Sequence, residues 1–591
     1  MRKINLHYVN ETYDSKGVLS GIDVNVPEHF NFAYDVVDDI AVAEPDRKAM
    51  IWCNPEGEEH IFTFGDMKTW SDKTANFLRS CGIGKGDFVM VILRRHYQFW
   101  FTALALAKLG AVMVPATFML KEHDLEYRLN RASIKAIIAT SVGDIADIVD
   151  NTAVSCPSLE TRILVNGAGG GLTPRNEDGS LEITADELIG ERLSGPAGIC
   201  AATVNRDGWL DFNASVRAAS EVFDPLATNA ADPMLMYFSS GTSGNPKMVL
   251  HDSGYAIAHL VTAKHWHKVH PDGVHLTIAD TGWGKAVWGK FYGQWLMEAC
   301  VLTYDYDRFH GDELLSLVKK YQVTSLCCPP TMWRLFMQED ISKYDLSSLE
   351  YVTTAGEALN PDIFNFWKEK AGLTIYEGFG QTETPLTVAN LVNSTPRIGS
   401  MGKPSPLYTV EIQRADGTRC NTGETGEICI NIDPHPAGIM MCYYRDEEKT
   451  ALAMHDGWYH TGDTAWCDED GYFWFVGRND DVIKSSGYRI GPFEIESVLL
   501  EHEAVLECAV TGVDDPVRGK AVKATIVLAP GVEGSPSLTK ELQTWVKQRT
   551  APYKYPRIVE YVSELPKTSN GKIRRAAIRD NDAAKNVDGL M

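Results

Sequence analysis

The sequence predicts an α/β protein: a large N-terminal body of parallel-rich sheets layered with helices, followed by a small, mobile α+β C-terminal domain. Three observations predict it. An apolar, β-branched run at 87–93, a helix-like stretch at 96–109 and a second apolar run at 111–115 make a strand–helix–strand unit. Its crossover favours a parallel sheet. Short apolar segments recur at 135–140, 162–165, 323–329, 332–337 and 351–354, as expected where parallel strands are buried on both faces. The chain has 591 residues, and single cores rarely grow past about 250–300 residues, so more than one core is needed.

Taken in order, the stretch 99–120 is the longest apolar one and nears the about 20 residues that span a bilayer. Lys108 interrupts it, Gly110 breaks it and Pro115 follows, so it reads as a buried helix, a turn and a strand. Residues 166–207 hold GAGGG, TPRNEDGS and SGPAG with little periodicity and read as an inserted excursion. GAGGG follows a strand, but the third glycine of a dinucleotide fingerprint falls on Leu172, so that pattern fails. The large domain is predicted to span 1–479. Residues 480–591 carry a helix at 493–501, strands at 505–511 and 521–527 and a helix at 540–549, enough for a small second domain.

Composition excludes some classes. The net charge is −23 and no Lys/Arg run is present, so nucleic acid is not an expected partner. The 12 cysteines are scattered without a C-x-x-C pair, which suits buried thiols in a reducing compartment. The start, MRKINLHYVNETYD, has neither a signal-peptide apolar core nor an Arg/Ser-rich transit character. A cytoplasmic protein without an integral membrane segment is expected.

Six sequence stretches carry chemistry. The first is YFSSGTSGNPK, 237–247, in which Ser239, Ser240, Gly241, Thr242, Ser243 and Gly244 precede Lys247. Glycines let the backbone approach phosphate oxygens, hydroxyls and N–H groups donate, and the Lys supplies charge. It is not a Walker A loop, because the spacing differs and Met248 follows the Lys. AGEALNP (355–361), YEGFGQTET (376–384), GWYHTGD (457–463) and GRNDDVIKSSGYRIGP (477–492) follow, and PKTSNGKIRR (566–575) lies near the end.

In this order the motifs resemble those of the adenylate-forming superfamily: acyl-CoA synthetases, carrier-linked adenylation domains and firefly-type luciferases. The resemblance covers nearly the whole chain except 166–207. It implies that Gly356, Glu357, Glu377, Gly378, Phe379, Gly380, Gln381 and Thr382 line the base and ribose of ATP. Thr382 reaches the α-phosphate, and Thr242 and Glu383 supply oxygen donors for magnesium. Asp463 and Arg478 hold the ribose, a carboxylate being a good acceptor for vicinal hydroxyls. Asp480 is the hinge. Ser486, Gly487 and Tyr488 form the loop presented with coenzyme A, Arg489 comes near phosphate, and Arg518 and Lys554 meet the coenzyme A nucleotide. Lys572 bridges the substrate carboxylate and α-phosphate, where a cation between two anions lowers the barrier.

The acyl pocket falls on Trp283, Gly284, Lys285, Trp288, Cys327 and Gly380. Amino-acid-activating relatives place an Asp where Gly284 stands, and a buried ammonium without a partner is costly, so amino-acid activation is not expected. Acetate-specific relatives have GWWQTE where this chain has GFGQTE, so Gly380 replaces the indole that floors a small pocket and is expected to open room. Lys285, Trp288 and Cys327 narrow the cavity again. The pattern resembles medium-chain acyl-CoA synthetases of fatty acid metabolism. The expected reaction joins a short-to-medium carboxylic acid, branched or cyclic ones included, to coenzyme A with ATP and Mg2+, through an acyl adenylate. A carrier-linked enzyme, a luciferase-type oxidative enzyme and an inactive nucleotide-binding relative stay open at this point, as does the choice between monomer and homodimer.

Overall fold

The computed structural model describes residues 4–167, 199–200, 202–239, 245–357, 359–485, 488–516, 518–567 and 572–587. Most of the excursion predicted at 166–207, together with residues 240–244 and 486–487, lies outside them.

Two mixed sheets form the large body. In the first, Leu235–Ser239, Val112–Pro115, Phe88–Ile92, Ala136–Thr140, Thr161–Val165 and Leu210–Asp211 run parallel in that order, and Lys247–His251 and Cys442–Tyr443 add an antiparallel edge. In the second, Ile375–Phe379, Tyr351–Ala355, Ser325–Cys327, Val274–Thr277, Cys300–Tyr304 and Lys48–Cys53 are parallel, with antiparallel strands at both edges. The expected parallel-rich α/β body is therefore present.

Alternation along each strand decides which core a residue joins. Val89 and Val91 enter the core between the two sheets, whereas Met90 and Ile92 enter the core on the far side. Trp52, Val301 and Cys327 of the second sheet face the same central core, and Ile51, Leu302 and Cys328 face away. Helix Gln98–Leu109 runs inside the central layer, and all but one of its residues are buried. It ends on Gly110 in the left-handed conformation, φ 66°, which glycine adopts without a Cβ penalty. The strand Val112–Pro115 follows. The apolar stretch 99–120 is thus a buried helix, turn and strand, and no helix among the described residues is long and apolar enough to cross a membrane.

A third, antiparallel sheet joins Val410–Gln413, Gly426–Asn431, Trp458–Cys467, Met454–His455 and Phe473–Arg478. Beyond Arg478 a fourth sheet begins at Ile483–Ser485 and includes Tyr488–Ile490, Val505–Asp515, Gly519–Leu528 and Ile558–Tyr561. It has its own core of Ile483, Ile495, Leu499, Val510, Val522 and Leu542, under helices Pro492–Leu500 and Pro536–Arg549. Both helices carry proline in the first turn, where its missing N–H costs nothing.

Candidate active site

Motif residues stand at the C-terminal ends of parallel strands, the usual place for a ligand in an open α/β sheet. Ser239, Cys327, Ala355 and Phe379 are the last residues of their strands. Gly356 and Gly380 follow two of them directly. Gly356 has φ 98° and open space where a Cβ would stand, so the backbone there is accessible to a flat ligand.

On one side Lys247 pairs across from Ser239. Its Nζ donates to the Tyr443 hydroxyl at 3.0 Å, and that hydroxyl donates to Glu383 Oε1 at 2.9 Å. A cation and a carboxylate are thus spaced by one phenol. Burial pulls the Lys247 pKa down, opposed by the Glu383 charge. Tyr443 belongs to the edge strand beside Lys247–His251, about 200 residues away in sequence, and no motif pointed to it.

On the other side Gln381, Asp463 and Arg478 converge. Gln381 Nε2 donates to Asp463 Oδ2 and to the Thr461 carbonyl, at 2.9 Å for the latter, and the Tyr459 hydroxyl donates to Gln381 Oε1 at 2.6 Å. Asp463 and Arg478 are cross-strand partners, with Arg478 Nη1 3.3 Å from Asp463 Oδ1. The strand register shifts between Glu427 and Cys429, which bulges the chain at 461–463. Bulges beside active sites re-aim a side chain, and here the bulge carries Asp463. Burial raises the Asp463 pKa, against the pull of Arg478, Gln381 and Lys572. The field of Lys572 therefore reaches this carboxylate. Lys572 lies one residue before Ile573, which forms a backbone bridge with Lys567.

Glu377 is 4% exposed. Burial pushes its carboxyl up to about 8, and the Leu359 N–H donates to Oε1 at 3.3 Å. Its Oε2 has no partner. Glu357 is exposed and accepts from the Thr331 hydroxyl at 2.8 Å. The Thr382 carbonyl accepts from His251 Nε2 at 2.8 Å, and burial lowers that imidazole to about 4.

Of the residues expected at the acyl pocket, Gly380 and Trp288 are in direct contact. A Cβ on Gly380 would lie 2.4 Å from Cη2 of Trp288 and 2.5 Å from the Pro385 carbonyl. The room expected from a glycine at 380 is filled by the Trp288 indole, supplied from helix Gly284–Lys290. Trp288 shares the central core with Cys327 and lies edge-on to Trp266 and near His259. Lys285 donates to the Ala355 carbonyl at 2.8 Å. Trp283 caps the same helix, and its buried Nε1 has no partner. Gly284 has open space around it.

In the small domain Tyr488 stacks on Tyr553 at 3.9 Å, beside Lys554, whose Nζ donates to Glu494. Tyr553 was not evident as a site residue in the sequence. Arg518 is held by Asp515, one residue before the Gly519 that pairs with Ser485. Arg489 is paired along the backbone with Lys484. Ser240, Gly241, Thr242, Ser243, Gly244, Ser486 and Gly487 lie outside the described residues. Asp480 is 3.9 Å from Arg478 Nε, whereas Asp481 pairs with Arg575 at 3.8 Å and with Arg579 on the last helix.

The chain matches the AMP-binding enzyme family over residues 37–444 and the AMP-binding enzyme C-terminal domain over 494–572. It belongs to that family. It is 40% identical to the human mitochondrial acyl-coenzyme A synthetase ACSM5, over 95% of this chain and 92% of the relative. It is 38% identical to the mouse mitochondrial acyl-coenzyme A synthetase ACSM4, over 97% and 94%. Among solved structures it resembles the anthranilate CoA ligase AuaEII in complex with anthranoyl-AMP, with a TM-score of 0.81, 25% identity and coverage of 95% and 99%. A Brucella canis acyl-CoA synthetase matches at a TM-score of 0.67, 29% identity and coverage of 95% and 96%. The expected cytoplasmic location is corrected by these comparisons: the curated relatives are mitochondrial.

Proposed function

We propose that this chain is an AMP-forming acyl-CoA synthetase. It joins a short-to-medium carboxylic acid, branched or cyclic ones included, to coenzyme A at the expense of ATP, through an acyl adenylate. The observation that carries this reading is a pair of clusters joined through the 381–383 segment: Lys247–Tyr443–Glu383 on the phosphate side and Gln381–Asp463–Arg478 on the ribose side. The relatives named as acyl-coenzyme A synthetases and CoA ligases support it.

In this reading Asp463 accepts from the ribose hydroxyls and Arg478 fixes its orientation. The unpartnered Oε2 of Glu377, at the back of the base side, suits an N–H donor such as the adenine amino group. Glu383 and Thr242 are hard oxygen donors that suit magnesium, which when bound offsets charge on the phosphates, and Thr382 reaches the α-phosphate. Ser239 to Lys247 cradle the phosphate chain. The acid enters against Trp288, Trp283, Lys285 and Cys327, and its carboxylate attacks the α-phosphorus while diphosphate leaves. No side-chain nucleophile is needed, since the residues position and neutralise charge. Lys572 bridges the two anions.

For the second half-reaction the small domain turns about Asp480. The ion pairs suit a pivot there: Asp480 is tied to the large domain through Arg478, and its neighbour Asp481 to the small domain through Arg575 and Arg579. The turn withdraws Lys572 and brings the loop at 486–489 to the site. Coenzyme A then reaches the acyl carbonyl, its nucleotide meeting Arg518, Tyr488 and Lys554. The thiol attacks and AMP leaves. The test is CoA-dependent release of AMP and diphosphate across acetate, butyrate, 2-methylbutyrate, hexanoate, octanoate, benzoate and cyclohexanecarboxylate. A peak among the acids larger than acetate supports the proposal. Turnover of acetate alone removes the substrate class, and no CoA-dependent turnover with any acid removes the reaction.

A further inference from the structure

The outer face of the third sheet carries a cluster that the nucleotide chemistry does not use. Glu411 pairs with Cys429, and Cys429 pairs with His460, so the three form one row across neighbouring strands. Glu427 is two residues before Cys429 and shares its face. His460 Nδ1 is 3.5 Å from Cys429 Sγ and 3.4 Å from Glu427 Oε2. All three donor atoms lie within 4.8 Å of one another.

The two spacings to His460 Nδ1, 3.5 and 3.4 Å, are those of a tetrahedral metal. Metal–sulfur, metal–nitrogen and metal–oxygen bonds of about 2.3, 2.1 and 2.0 Å separate tetrahedral donors by about 3.3–3.6 Å. The donors are also held in place. The Gly462 N–H donates to Glu427 Oε1 at 2.7 Å, which leaves Oε2 turned to the cluster. The His455 ring stacks on His460 at 4.0 Å and 11°, fixing the imidazole plane. Such outer contacts orient ligands in built metal sites. Side-chain exposures of 18% for His460 and 23% for Glu427 give an ion a way in. One sulfur, one imidazole nitrogen and one carboxylate oxygen select a soft or borderline ion and not magnesium.

We propose that Glu427 Oε2, Cys429 Sγ and His460 Nδ1 bind a thiophilic divalent cation of the zinc class, with water in the fourth position. Binding replaces the Cys429 S–H bond by a sulfur–metal bond, and the proton leaves to solvent. The site is independent of the nucleotide crevice but joined to it: the carboxylate that would ligate the ion also holds Gly462, next to Asp463.

The test uses the full chain, stripped with a chelator and titrated with Co2+ in excess Mg2+. The proposal predicts a thiolate-to-cobalt charge-transfer absorption that saturates at one equivalent and is bleached by Zn2+. Cys429→Ser abolishes the band, and His460→Gln and Glu427→Gln each weaken Co2+ binding about 10-fold or more. Circular dichroism of the stripped proteins controls for folding. If Cys429→Ser does not fold, the other two variants decide. No band in the native sequence, a band unchanged in Cys429→Ser, or unchanged affinity in both other variants overturns the site. Because metal binding is read directly, the result does not depend on which acid the chain activates.

Discussion

The Trp288 indole packs directly on Gly380, so that a Cβ at 380 would fall 2.4 Å from the ring. In the proposed reading the two residues form one wall of the acyl pocket, the glycine making space for the tryptophan. Gly380→Ala is therefore expected to lower turnover of every acid, and Trp288→Leu to restore part of it. Trp288→Leu alone should shift preference toward longer acids. One methylene in an apolar pocket is worth about 1–3 kcal/mol, so the octanoate-to-butyrate ratio of kcat/KM should rise about 10-fold or more. An unchanged ratio would place the wall elsewhere.

Tyr443 links Lys247 to Glu383 through one hydroxyl. Tyr443→Phe keeps the ring and its cation–π contact with Lys247, 4.4 Å from the centroid, and removes only the hydroxyl. A net hydrogen bond is worth about 0.5–1.5 kcal/mol, more to charged groups. Diphosphate release should slow about 10-fold, with little change in melting temperature. A large loss of stability with normal turnover would make the link structural.

Glu377 gives a pH signature. Its folded pKa is raised from 4.5 to about 8 by burial. A group raised in the folded state contributes stability that is fully present below 4.5 and is lost as pH rises through about 8. Glu377→Gln cannot ionise, so the melting temperature of the native sequence should fall relative to the variant across that window. A difference independent of pH would show that the carboxyl ionises as readily folded as unfolded.

The sequence made the parallel-rich body legible because its strands are apolar throughout and its breakers are local: Lys108, Gly110 and Pro115 marked the turn that the structure contains. The small domain was legible for the same reason. Two motifs put Asp463 and Arg478 at one ribose through the family resemblance, and the structure pairs their strands as one hairpin. Tyr443 and Tyr553 were not legible, because each reaches its partner through tertiary packing and an isolated tyrosine has no distinguishing spacing. Trp288 was expected to narrow the room that Gly380 opens, but its direct packing on that glycine was not legible. What fills a glycine's missing side chain comes from another helix, and no local pattern names it.

The same two-domain logic makes the most direct test. Lys572 acts on Asp463 through its charge and is proposed to serve only the first half-reaction. The measurement compares Lys572→Ala with the native sequence in acid-dependent diphosphate release and in thioester formation from supplied acyl-AMP and coenzyme A. The account predicts that the first falls by orders of magnitude while the second is retained. Equal loss in both would contradict a division of the chemistry between two positions of the small domain.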